Sequence, residues 1–280
     1  MKRIQEEVDG GVRITKELMK IGLHCGISSN AQAMEVIGAR RVRINNTWIE
    51  DENHFVQPED DIYIDSKILN RNISHTPEVV IFHKPSKVLT TRFDPDGRQN
   101  IYDLLPKKLQ KLVYIGRLDF MSEGLLLLTN SGLFSEWMSA PKSGIKRVYK
   151  VRVFVPLYVD FNDGLFDDAR SGNMRVEGMR YSPMEIFIMK GSKRSTKNNR
   201  RIAEGEPKNK WLKITLKEGK KNEIRNVMKA LGLTVSKLVR VSYGPFKLCS
   251  LPVGRTRPAF DYELEAIIKN FKKQNNKTLN

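Results

Sequence analysis

Cysteine is nearly absent. Cys25 and Cys249, two residues in 280, allow at most one bridge, so no disulfide framework holds this chain together. Neither belongs to a C-x-x-C pair, and the histidines at 24, 54, 75 and 83 show no ligand spacing, so no metal site is expected. Long apolar runs are missing too. None exceeds four residues, as in Leu125–Leu128, against the about 20 that a membrane-crossing helix needs. The opening MKRIQEEVDG lacks the apolar stretch of a signal peptide. A cytoplasmic location, with no membrane partner, is the expectation. Proline and glycine, at 12 and 19 residues, are too few for a collagen-like or low-complexity chain, and 40% hydrophobic residues can fill a core. At about 150 residues per domain, the length suggests two domains.

Acidic charge is the other shortage: 32 acidic against 49 basic side chains leave +17, a surplus that attracts polyanions such as nucleic acid. It is unevenly spread. Residues 1–70 hold 9 basic and 12 acidic residues, whereas 71–280 hold 40 and 20. Residues 190–229 carry 14 basic and 4 acidic residues, including GSKRSTKNNRR. Lys193, Arg194, Lys197, Arg200 and Arg201 there read either as a solvated loop or as a track for a phosphate backbone, where fixed cations gain from counterion release.

Periodicity divides the chain. Residues 1–10 read as a loose terminus. Ile14, Leu18, Met19 and Ile21 have the spacing of a short helix ending near Gly22; Ser28, Ser29 or Asn30 can cap a second, with Ala33, Met34, Val36 and Ile37 on its buried stripe. Arg41–Ile44 and Thr47–Ile49 around Asn45-Asn46 predict a hairpin, and Ile62–Ile64 a later strand. The polar stretch 66–77 reads as a linker. Beyond it, Val79–His83, Lys146–Phe154, Trp211–Leu216 and Leu238–Val241 are strand candidates, while Ser131–Met138 and Glu223–Leu231 look helical. A mixed α+β domain with a largely antiparallel sheet follows.

The segment YIGRLDFMSEGLLLLTNSG, from Tyr114 to Gly132, stands out. Gly116 and Gly124 bracket a polar loop, and Leu125–Leu128 has the character of a buried strand. Asp119 is therefore presented on a loop beside the core. By position alone it reads as a turn or capping residue, and no P-loop pattern is present.

The early order RITKELMKIG, SSNAQAMEVIGARRVRINNTWIE, VQPEDDIYID resembles the S4 RNA-binding module over about 60 residues. S4 modules carry basic residues at the start of the second helix, where this chain has the neutral SSNAQ; Arg40, Arg41 and Arg43 remain as a basic edge, and a small adapter without RNA contact is the other reading. The later chain is similar to RsuA-type ribosomal RNA pseudouridine synthases in four ordered segments: VLTTRFDPDGRQNIYDLLP, GRLDFMSEGLLLLTNSG, KRVYKVRV and EGKKNEIRNVMKALGLTVSKLVRVSYGPFKL. The resemblance implies an S4-like domain over 11–68 and a pseudouridine synthase catalytic domain over 78–262. The DPDGR…YDLLP form resembles the large-subunit members more than the small-subunit ones, so the resemblance implies an isomerase that converts a specific uridine in ribosomal RNA, 23S ahead of 16S, with base flipping and without a cofactor, acting as a monomer.

Residue by residue, the resemblance makes Asp119 the catalytic nucleophile and Arg225 the cation paired with it; Tyr149 stacks on the extruded uracil, Leu238 walls the pocket, and Arg117 lies near the flipped base. The family has Gln-Val-Arg-Arg where this chain has Glu223-Ile224-Arg225-Asn226. Arg92 and Arg98, in the turn-rich loop VLTTRFDPDGRQ, are expected near RNA. Each residue has a plainer reading: Tyr149 as a cross-strand aromatic, Leu238 as packing, Arg225 and Arg117 as surface cations. A non-catalytic RNA-binding ribosome-assembly factor is the alternative for the whole chain. A metal-dependent nuclease would require clustered carboxylates and histidines.

Overall fold

The structure, a computed structural model, describes residues 11–21, 27, 29–69, 76–189 and 208–277. The basic residues Lys193, Arg194, Lys197, Arg200 and Arg201, the expected loose terminus 1–10 and Cys25 lie outside them; Cys249 is a free, exposed cysteine.

The N-terminal unit is built on the spacing seen in the sequence. β1 (Val12–Arg13) leads into α1 (Ile14–Ile21), whose Ile14, Leu18, Met19 and Ile21 are all buried. α2 (Asn30–Gly38) starts where the Ser29 side chain accepts the Gln32 N–H, satisfying one of the free donors at a helix start. Ala33, Val36 and Ile37 of α2 are buried, but Met34 is exposed, because it projects between the stripe positions toward solvent. β2 (Val42–Ile44) and β3 (Thr47–Trp48) form the hairpin; after β4 (Phe55–Val56), paired with β1, come β5 (Ile62–Ile64) and β6 (Lys67–Ile68). These strands make a four-stranded sheet ordered β3-β2-β5-β6. Lys67–Ile68 is thus sheet and not linker, since the Asp65-Ser66 turn folds it back onto β5. Ile14, Leu18, Ile37, Val42 and Ile62 close a core separate from the rest of the chain.

The second unit is a nine-stranded mixed sheet. β7 (Val79–Lys84) is followed by α3 (Ile101–Leu104), β8 (Val113–Ile115), β9 (Glu123–Thr129), α4 (Gly132–Ser139) and the long β10 (Arg147–Val155). α5 (Asp167–Ser171), the small hairpin β11 (Arg175–Val176) and β12 (Met179–Arg180), β13 (Glu185–Ile188) and β14 (Lys208–Leu216) lead to α6 (Glu223–Ala230). β15 (Thr234–Tyr243), β16 (Phe246–Lys247), β17 (Thr256–Pro258) and α7 (Asp261–Lys277) complete it. The path is β13-β14-β10-β15-β9-β7-β17, antiparallel except where β15 runs parallel to β9.

The leucine run has a simple cause. Leu126 and Leu128 point into the core shared with α3, α5 and α6, while Leu125 and Leu127 point into the one under α4 and α7. A strand covered on both faces reads as continuously apolar rather than alternating. With all four side chains fully buried, each contributes about 1.5–3 kcal/mol of apolar burial. β10, by contrast, alternates, with Val151 and Val153 inside and Lys150 and Arg152 outside. Ile267 and Ile268 of α7 join the same core as Leu125, so this unit continues beyond residue 262, the end expected from the motifs. Among the described residues no helix is long and apolar enough to cross a membrane.

Candidate active site

β9 begins immediately after the polar loop that carries Asp119, and the strands around it fix that loop by its backbone. Lys84, the last residue of β7, is fully buried and donates from Nζ to the carbonyls of Pro85 (3.0 Å), Asp119 (3.2 Å) and Ser122 (2.8 Å). Three acceptors use all three donors of an ammonium. Burial draws the Lys84 pKa down to about 8, against the pull of the Asp119 charge. The Ser122 N–H closes a turn onto the Asp119 carbonyl at 3.0 Å. Thr90 Oγ1 donates to the Leu118 carbonyl at 2.8 Å and accepts the Leu118 N–H.

Arg240 secures the other end. It is 1% exposed, and its guanidinium donates to the carbonyls of Leu125 (2.7 Å), Gly116 (3.0 Å) and Arg117 (3.3 Å). The backbone of β15 lies so close to β9 here that a Cβ at Gly124, whose φ is +109°, would overlap the Arg240 carbonyl oxygen. Only glycine fits both demands. Opposite Arg240 in β10 stands Tyr149, beside a bulge at which Val241 of β15 faces no residue of β10; a bulge re-aims the neighbouring side chains.

These elements line a cleft of about 1150 Å³. Asp119, Arg117, Tyr149 and Leu238 all border it, with Asp119 exposed and Tyr149 8% exposed. Among the described residues the Asp119 carboxylate has neither hydrogen bond nor ion pair, although its own backbone is held on both sides. Arg13 and Lys16 of the N-terminal unit also face the cleft, and α1 packs on α4.

Arg225 departs from expectation. It makes no ion pair with Asp119; its guanidinium donates to the carbonyls of Val235 (3.3 Å) and Met121 (3.4 Å). The half-buried position on α6 brings it to the backbone two residues beyond Asp119 rather than to the carboxylate. Arg92 borders the cleft, but its planar cation lies 4.2 Å over the Tyr102 ring and donates to the carbonyls of Gln110 and Leu112. Arg98 is paired with Asp94 and Asp96. In the N-terminal unit Arg40 pairs with Glu50 and Arg41 with Asp65, while Arg43 stacks 4.0 Å over Tyr63. None of these last four borders the cleft.

The cleft wall also holds two acids close together, Glu223 and the half-buried Glu218. Glu223, first residue of α6, is 3% exposed and accepts the Lys220 N–H at 3.0 Å, with the Glu218 carboxyl within hydrogen-bonding reach. Burial, then Glu218, pushes Glu223 up to about 8. Burial also works against the Glu218 charge, yet hydrogen bonds from Ser182 and Lys220 hold its pKa below the ordinary carboxylate value. The two environments thus push the acids apart and favour the protonated form at Glu223. Lys84, Arg240 and Glu223 were missed as functional residues by sequence reasoning. The signals were a lysine closing the apolar run VVIFHK, and the arginine of SKLVRV.

Among the described residues no group of three or more His, Cys, Asp or Glu side chains is arranged to hold a metal. Comparison with known proteins adds identity to this geometry. The family model described as RNA pseudouridylate synthase matches residues 78–230. An uncharacterised RNA pseudouridine synthase of Rickettsia typhi is 33% identical, covering 90% of this chain and 95% of that one. The ribosomal large subunit pseudouridine synthase B of Escherichia coli O157:H7 is 30% identical, covering 84% and 76%. A crystal structure of a pseudouridylate synthase superposes with a TM-score of 0.59 at 24% identity, over 91% of this chain and 99% of that one. The chain belongs to the RNA pseudouridylate synthase family.

Proposed function

We propose that this protein isomerises a specific uridine of ribosomal RNA, with Asp119 as nucleophile and no cofactor. The observation that carries the reading is a carboxylate without a partner among the described residues, exposed in a cleft, on a loop whose backbone is anchored by Lys84, Thr90 and Arg240. A fixed backbone with an uncommitted side chain suits a group that must meet a substrate. Attack at C1′ of the ribose bonds the carboxylate to C1′ as the N1–C1′ bond breaks, or attack at C6 of the ring bonds it to C6 and lets the N1–C1′ bond break; the base then turns, C1′ bonds to C5, and the bond to Asp119 breaks to restore the carboxylate. The C5 proton leaves, N1 gains one, and no electrons are exchanged with a second substrate.

Tyr149 stacks on the extruded uracil, Leu238 walls its pocket and Arg117 receives the flipped nucleotide in this reading. Arg225 acts through the Met121 carbonyl, steadying the loop. The likeness to a relative named for the large ribosomal subunit favours 23S over 16S RNA. The N-terminal unit, residues 11–68, serves as an S4-like RNA-docking module; Arg13 and Lys16, which border the cleft, support this better than Arg40, Arg41 and Arg43, which do not. RNA carrying tritium at uridine C5 tests the proposal, since isomerisation releases the label and binding alone does not. A protein that binds ribosomal RNA tightly but releases no tritium is an assembly factor instead.

A further inference from the structure

The loop that follows Thr90 presents a largely exposed aromatic ring to the cleft that Asp119 also borders. Phe93 is 78% exposed and borders the cleft. Its backbone is fully engaged: the Phe93 N–H donates to Thr91 Oγ1 at 3.3 Å, and that hydroxyl donates back to the Phe93 carbonyl at 2.8 Å. The preceding Arg92 is clamped on the carbonyls of Gln110 and Leu112, and the following Asp94 is gripped by Arg98 through Nε and Nη2. Leu89 N–H to the Gln99 carbonyl closes the loop at 2.9 Å. Among the described residues no other ring packs against Phe93. Thr90, bonded to Leu118, is three residues away, so the Cα of Phe93 lies at most about 11 Å from that of Thr90.

An apolar ring held out on an anchored loop of that cleft calls for an occupant. We propose that Phe93 is a stacking platform for a nucleobase flanking the target uridine, a second base subsite beside the one at Asp119. This rests on the RNA-modifying reading above. When a nucleotide leaves its helix, its neighbours lose stacking on one face. A flat ring already fixed in place can replace that contact without preference for base identity, and such stacking is sequence-tolerant.

The test compares Phe93→Ala, Phe93→Leu, Phe93→Tyr and Phe93→Trp in the full chain. Tritium release and filter binding are measured on 23S and 16S ribosomal RNA transcribed in vitro. The Ala and Leu variants should raise KM and Kd about 5- to 150-fold, with kcat changed much less. Tyr and Trp should restore wild-type values, and thermal melting should be unchanged throughout. A Leu variant as good as the wild type, or an Ala variant with unaltered KM and Kd, overturns the stacking role. So does a variant whose only effect is on self-association in sedimentation, which would make the ring a contact between copies. If the wild type releases no tritium, the isomerase reading fails on its own, and the binding series still decides the role of Phe93.

Discussion

Lys84 holds Asp119 by the backbone: its buried Nζ donates to the Asp119 carbonyl at 3.2 Å and to that of Ser122 at 2.8 Å, leaving the Asp119 carboxylate to the cleft. The lysine shapes the turn that presents the acid and contributes its charge only at a distance. Replacing it with methionine keeps the bulk but leaves carbonyls unsatisfied in the interior. Lys84→Met should cost about 1–3 kcal/mol in urea unfolding and lower kcat more than KM. Wild-type stability and turnover together in this variant would show that the three hydrogen bonds are dispensable.

Arg240 reaches three carbonyls with a planar fork, which an ammonium cannot copy. In Arg240→Lys the carbonyls of Gly116, Arg117 and Leu125 cannot all be served, so the loop before Asp119 should loosen. Hydrogen exchange at residues 116–122 should quicken, and kcat should fall at least about tenfold, about 1.4 kcal/mol. Unaltered exchange would mean that β15 holds the loop without this side chain.

Glu223 gives stability a definite pH dependence. Its pKa rises from an ordinary 4.5 to about 8 on folding, through burial and then Glu218, so the folded state holds the extra proton between those values. The corresponding stability is fully present below about 4.5 and is lost as pH rises through about 8. Lys84 works oppositely and higher up: its folded pKa of about 8 lies below the ordinary 10.5, so its contribution is regained only as pH climbs above 8. Glu223→Gln keeps the shape and cannot ionise. Its melting temperature should therefore fall less than that of the wild type between pH 5 and pH 8; parallel curves would place the ionised form of Glu223 in the folded protein.

Gly124 is the narrowest point between β9 and β15. Gly124→Ala places a methyl group on the Arg240 carbonyl at a φ of +109°, a conformation that costs an L-residue about 1–3 kcal/mol before any clash. The variant should melt well below the wild type or fail to fold, and a soluble protein with an unchanged melting temperature would contradict the close strand approach.

Local chemistry explains which features were readable in the sequence. Ile14, Leu18 and Ile21 announced α1 because one helix face meets one core, and Leu125–Leu128 announced β9 because two cores meet one strand. The alternation in β10 was equally open. Lys67–Ile68 was hidden, since an exposed two-residue strand exists only because the Asp65-Ser66 turn returns it to β5. The site followed the same rule. Asp119, Tyr149 and Leu238 were found through motif resemblance and do share the cleft. The work of Lys84, Arg240 and Glu223 was not legible, because each acts on backbone or side chains brought near only by the sheet. Arg225 went astray for that reason: the resemblance paired it with Asp119, while its guanidinium donates to the Met121 and Val235 carbonyls.

The central claim is that the Asp119 carboxylate performs the chemistry and does not build the fold. Asp119→Asn, a change of one atom at an exposed position unpaired among the described residues, should leave the melting curve and the affinity for ribosomal RNA unaltered while abolishing tritium release from uridine C5. Release at the wild-type rate from the purified variant would contradict the account.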